Sequence, residues 1–306
     1  MRYPICRFLI PLFAGATLLS CGNGGKDNSE KSDNPEQIQE DTTKTVSNGV
    51  LNIGGELFSI PSPMQTAMLI QGTGAQFDKS ILNTKDNMNQ YGTDFSKALN
   101  LGIFGADLGY VSMYNKSQEA LSYLAAVKKL SDDLGLAGAF DNQTMERFKG
   151  NLANKDSLMV LVGVAYRAGD AFLKKYDKLD ISGLILTGGW IESLNFSLSV
   201  YKTKPNEDIK KRVADQKQAL SSVVKLLSQF EAKIGFGDLV NDLRDLNKIY
   251  ESVKFNYVYE KPETDVAAKS TSLNCHSDVT ISDATLKQIS EKIEQIRKKI
   301  VNPVKA

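Results

Sequence analysis

Cys275 and His276 are the residues whose types could support nucleophilic chemistry, and they are neighbours in a segment that also holds Pro262. A thiolate activated by an imidazole is a common nucleophilic pair. Adjacency works against it here, because successive side chains of an extended stretch point to opposite faces and such dyads join residues distant in sequence. His276 is the single histidine of the chain, so a triad has one possible base and a multi-histidine metal site cannot be built. The sequence therefore assigns no catalytic residue, no metal ligand and no cofactor.

Charged residues inside apolar helical stretches are the sharper signal. Asp107 stands among Ile103, Phe104, Leu108 and Val111. Arg167 and Asp170 interrupt the run from Leu158 to Phe172, and Glu192 and Asn195 interrupt the next one, beside Trp190. A buried charge left unpaired costs roughly several kcal/mol, so inward-facing members of this set must pair with one another or bind something. The expectation is a polar network or pocket drawn from Asp107, Arg167, Asp170, Trp190 and Glu192, with Arg167 joined to Asp107 or Glu192. It has three chemical readings: an ion pair that fixes helix register, a polar ligand pocket, and a carboxylate acid/base pair of the glycosidase kind. Geometry separates them, since the last needs two carboxyls about 5 to 10 Å apart in an open cleft.

Small residues mark where helices must come close. Gly102, Gly105 or Ala106, and Gly109 share one face at helical spacing, and Gly188-Gly189 precede Trp190. Each helical glycine costs about 1 kcal/mol relative to alanine, so something must offset it. A tight helix crossing is the structural reading and a ligand platform the functional one. A phosphate loop is excluded, because no Gly-Lys-Ser/Thr follows and no strand precedes.

These residues need a helical scaffold, and the apolar periodicity supplies one. Val50 to Ile60, with Gly54-Gly55 inside, predicts a small hairpin. Ser62-Pro63 opens a helix to about Gln71; further helices are predicted over Thr93–Tyr114, Ser117–Leu134 and from Asp141, where Phe140 and Met145 form a hydrophobic staple. The segments Asp156–Tyr176 and Ile181–Lys202 are the most apolar and are expected at the centre. Heptad seams follow: Ile209, Val213, Gln216, Leu220, Val223, Leu227, Phe230 and Ile234, with Gln216 its polar break; Leu239 through Tyr250 to Val253 and Tyr257; and Leu286 to Ile300. The fold class is all-α, an irregular array or bundle of about eight to nine helices with a hairpin near residues 50–60 and a long loop at 261–278. No solenoid period is present, and the single tryptophan cannot mark several repeats.

The N-terminus has a basic start at Arg2 and Arg7, an apolar run from Phe8 to Leu19, and then Leu18-Leu19-Ser20-Cys21. The run is about a dozen residues against the roughly 20 a spanning helix needs, so it reads as a removable signal. Its end resembles the lipobox of bacterial lipoproteins, which implies cleavage before Cys21 and acylation of that cysteine. Two or three acyl chains exceed the one-chain limit for reversible membrane binding. The organisation expected is a signal peptide at 1–20, a flexible polar tether at 21–49 and a helical domain at 50–306. Loss of Arg2 and Arg7 takes 37 basic residues to 35 against 36 acidic, a formal charge of −1. Such a balance, without basic runs interleaved with aromatics, excludes nucleic acid as a partner.

Together with Ser-Ile-Pro-Ser-Pro at 59–63, the run from Lys97 to Tyr110 and Gly188-Gly189-Trp190-Ile191-Glu192-Ser193, the lipobox and tether resemble lipoproteins of Bacteroidota whose function is not established. The resemblance spans most of residues 55–260 and implies an outer-membrane lipoprotein, on the periplasmic face or at the cell surface, held through acylated Cys21. No functional residue transfers with it. The sequence favours a non-enzymatic binding or scaffolding module for an envelope protein, peptide or glycan; the alternative is an envelope hydrolase using Asp107 and Glu192.

Overall fold

The computed structural model describes residues 50–53, 56–59, 62–137, 141–266 and 268–303, with side chains described outside the strands at 50–59 and outside positions 159, 162, 163 and 165–170. The lipobox, Cys21, the tether and the Phe140 half of the staple lie outside these residues, as do the side chains of Arg167 and Asp170. No helix among the described residues is long and apolar enough to cross a membrane.

Strands β1 (Val50–Ile53) and β2 (Glu56–Ser59) pair antiparallel, Val50 opposite Ser59, as the sequence predicts. Ten α-helices follow among the described residues: α1 (Pro63–Gly72), α2 (Asp94–Met113), α3 (Ser117–Asp133), α4 (Asn142–Asn151), α5 (Lys155–Lys175), α6 (Leu179–Thr203), α7 (Glu207–Ala214), α8 (Gln216–Ser228), α9 (Phe236–Tyr250) and α10 (Asp283–Val301). Short 3-10 turns at Lys79–Ile81 and Lys85–Gln90 link α1 to α2. The predicted starts hold for physical reasons. Ser62 and Gln65 form a capping box with Pro63 at the first helical position, and Asp141 accepts from the Thr144 amide at 2.7 Å. Gly135, at φ 74°, closes α3 in the left-handed region that glycine adopts without strain.

The described residues divide into two units, a helical body running to Lys254 and resuming at Val279, and a small unit at Phe255–Asp278. The second corrects the loop expected at 261–278. Strand β3 (Lys254–Val258) pairs with β6 (His276–Thr280), and inside them β4 (Glu263–Asp265) pairs antiparallel with β5 (Ser270–Ser272). Aromatic residues alternate with polar ones in β3, a threonine is central in β4 and in β5, and the segment lacks the apolar spacing a helix would need. Tyr257, predicted as the last member of a helical seam, belongs to β3 and is 63% exposed.

Within the body, α6 packs against α1, α2, α5, α7, α8 and α10. Of the two most apolar segments only α6 is central; α5 packs on α4 and α6, and the second central helix is α2. The glycines account for this. A Cβ on Gly102 would stand 2.0 Å from the Ile185 carbonyl oxygen, and one on Gly188 would stand 1.9 Å from that of Leu99, so the α2 and α6 backbones are in contact through both. The small-residue face is thus a helix crossing rather than a platform. Gly109 lies against Met64, whereas Gly105 borders open space. The seam predicted over Asn206–Ile234 is divided between α7 and α8 at Asp215 and stops at Ser228. Ile209 through Leu227 are buried, but Ile234 is 95% exposed beyond the helix end.

Candidate functional site

The polar residues of the apolar helices converge on one buried cluster. Asp107 of α2 and Glu192 of α6 are both fully buried, and their partner arginine is Arg297 of α10. Arg297 donates from Nε to one carboxylate oxygen of Glu192 and from Nη2 to the other at 2.6 Å, a two-pronged geometry that suits the planar guanidinium. Nη2 also donates to the Ile81 carbonyl at 3.1 Å, which the side-chain amide of Asn195 reaches as well, at 3.2 Å.

The segment Ile81–Asn83 is inserted among four helices. The Asn83 amide donates to Asp107 Oδ2 at 3.3 Å, and its side-chain nitrogen donates to Tyr91 Oη at 3.0 Å and to Asn100 Oδ1 at 3.2 Å. Tyr123 of α3 donates to the Asn83 carbonyl at 2.9 Å. Tyr91 and Asn100 reach the Val301 and Ile300 carbonyls at the C-terminal end of α10, where backbone acceptors lack helical partners. One short irregular segment thereby satisfies polar groups of α2, α3, α6 and α10.

Electrostatics assign the charges. Two carboxylates against one guanidinium would leave a net buried negative charge, which a low-dielectric interior strongly disfavours. Burial pushes the Asp107 carboxyl well above the ordinary carboxylate range, and the neighbouring Glu192 charge pushes it further. Asp107 Oδ1 has no hydrogen-bond partner while it acts only as an acceptor. The Asp107 carboxyl also lies within hydrogen-bonding reach of Glu192. A proton on Asp107 resolves both facts, since it makes the orphaned group a donor toward Glu192 and leaves a neutral Glu192–Arg297 pair. Burial alone would lower the Arg297 pKa, but the Glu192 carboxylate reverses this and raises it. Burial also raises the Tyr91 hydroxyl to about 12, so it stays neutral.

The expected network exists around Asp107 and Glu192, but the arginine seated in it is Arg297. Trp190 takes no part: 2% exposed, it donates from Nε1 to Gln216 Oε1 at 3.0 Å, tying α6 to α8. Gln216, the polar break in an apolar seam, is explained by that bond. Sequence reasoning missed Asn83, Tyr91, Asn100, Tyr123 and Arg297. Only Arg297 carried a signal, because it falls four residues after Ile293 and so on the buried face of α10.

Cys275 and His276 form no dyad. The thiol donates to the Glu260 carbonyl at 3.2 Å, and a hydrogen bond with Tyr257 draws its pKa below the ordinary thiol value. The imidazole lies 3.9 Å from the Glu260 carboxylate and 4.0 Å from Asp278. No group of three or more potential metal ligands occurs among the described residues. No family model matches the chain, and no curated protein or solved structure matches it either.

Proposed function

We propose that the chain is a lipid-anchored protein of the bacterial outer membrane, held on the periplasmic face or at the cell surface through acylated Cys21, whose folded part is a non-enzymatic binding or scaffolding module. The observation that carries this reading is the sealing of Asp107 and Glu192. Both are fully buried, Glu192 paired with Arg297 and Asp107 accepting from the Asn83 amide, whereas an acid/base pair must reach a substrate and a water. Their role is to fix the register of α2, α6 and α10, and the hydrolase alternative loses the residues it relied on.

The β unit supports a binding role. Phe255, Tyr257, Tyr259, Val266 and Leu273 are between 46% and 83% exposed, a concentration of apolar side chains within one short segment. Phe255 and Tyr257 share one face of β3, because residues two apart in a strand point the same way. Rigid aromatic surface of this kind is what partner proteins, peptides and glycans bury.

The experiment is cross-linking in the native envelope followed by purification of the lipidated protein. A discrete partner should be recovered with the natural chain and lost from a Tyr257→Ser, Tyr259→Ser variant of unchanged thermal stability. Cys21→Ser should release the chain from the membrane fraction. Retention of that variant in the membrane would overturn the anchor, and equal recovery of the partner with the tyrosine variant would overturn the role of the β unit.

A further inference from the structure

A groove of about 460 Å³ runs between α6 and α10, and the buried cluster ends in its floor. Arg297 is the link. Its Nε and Nη2 are committed to Glu192 and the Ile81 carbonyl, but Nη1 has no acceptor among the described residues, and the side chain keeps 17% exposure where it lines the groove. Lys202 on α6 and Lys298 on α10 stand at the rim, both exposed. The rest of the lining is largely polar, with Ser80, Asn195, Ser199, Ser290 and Asn302 around the guanidinium.

The charges define what would fit. Glu192 balances Arg297, and a protonated Asp107 adds nothing, so the rim decides the sign. Lys202 and Lys298 outnumber Glu294, which sits 3.6 Å from Lys202 with 72% of its side chain exposed and is therefore well screened. One positive charge remains over a polar lining, with a guanidinium N–H beneath that has no acceptor among the described residues.

We propose that this groove binds a small carboxylate, the chemistry of a peptide C-terminus or a small free acid. Arg297 Nη1 donates to the carboxylate from the floor, and Lys202 and Lys298 contribute charge from the rim. The site is built from residues of the helical body alone and does not depend on the anchor. The Glu192 pair has a second purpose in this arrangement: it holds the guanidinium plane fixed before the ligand arrives, which lowers the ordering cost of binding.

The test uses the full chain carrying Cys21→Ser, labelled with ¹⁵N, and three probes: N-acetyl-alanyl-alanine, its C-terminal amide, and propionate. The dipeptide acid should shift the Arg297 side-chain N–H resonance along a saturable curve, and the amide should not. In Lys202→Gln, Lys298→Gln, which leaves the buried cluster intact, affinity for the acid should fall about fivefold, as expected for losing two partly screened charges. Propionate binding as well as the dipeptide would identify a free acid as the natural source; weaker binding would identify a peptide end. No saturable shift with either acid, equal shifts with the amide, or unchanged affinity in the rim variant would each overturn the site.

Discussion

Glu192 and Arg297, 105 residues apart in the chain, meet in a two-pronged ion pair within the helical body. Glu192 is fully enclosed and Arg297 largely so, and the pair joins the longest buried helix to the last one. Removing one partner leaves the other charge buried and uncompensated, which typically costs about 3 to 5 kcal/mol. Arg297→Met alone should therefore lower stability by roughly that amount in chemical denaturation. Glu192→Leu with Arg297→Met should cost clearly less than the single change, because no charge is stranded. A double variant as unstable as the sum of the two single changes would mean that the residues are not coupled and would contradict the pair.

Asp107 sets the pH dependence. Its carboxyl is raised in the folded chain, so the folded state holds a proton that the unfolded state releases above the ordinary carboxylate value. The stability it contributes is fully present below that value and is lost as pH rises toward Asp107's own raised pKa. Asp107→Asn keeps the shape and the donor without the proton. The variant should gain on the natural chain as pH rises through this window, by up to about 1.4 kcal/mol per pH unit. Urea midpoints of the two proteins measured from pH 5 to 8 check this; parallel curves would contradict it.

The crossing of α2 and α6 depends on two glycines and not on a third. Gly102→Ala and Gly188→Ala each place a Cβ inside the van der Waals radius of a backbone carbonyl, and backbone cannot swing aside as a side chain can. Each should cost about 1 to 3 kcal/mol or more in thermal unfolding. Gly105→Ala meets nothing within 4 Å and should stabilise the chain by up to about 1 kcal/mol through helix propensity.

Gln216 satisfies the one indole of the chain. Gln216→Leu removes the acceptor of Trp190 Nε1 and leaves a buried donor unpaired, at a cost of about 1 to 3 kcal/mol. The loss should appear both in the denaturation midpoint and in faster hydrogen exchange at the indole N–H. Unchanged exchange would mean another acceptor replaces Gln216.

Much of this was legible in the sequence, and the reasons are physical. Caps such as Ser62 and Asp141 and the 3.6-residue spacing of Leu286–Ile300 are local signals, and the elements they predict are present. Asp107 and Glu192 were conspicuous because a charge in an apolar stripe needs a partner. Which arginine supplies that partner depends on how α10 packs against α6, and this is a long-range property that spacing does not encode. Asn83 carried no signal, since asparagine is commonplace in linkers and only the insertion of Ile81–Asn83 among four helices gives it work; Asn100 lies inside α2, where a lone neutral amide does not demand a partner as a charge does. The strands within 255–280 were missed because short polar strands resemble a loop in composition, and periodicity over three to five residues is too brief to read.

The most direct test of the sealed cluster is the ¹³C resonance of the Asp107 side-chain carboxyl, assigned by comparison with Asp107→Asn and followed from pH 4 to 9. A carboxyl that shows no transition near the ordinary carboxylate value is the result expected of a proton held between Asp107 and Glu192. A transition near pH 4, with an ionised Asp107 at neutrality, would contradict the neutral cluster and return these two carboxyls to the list of possible catalysts.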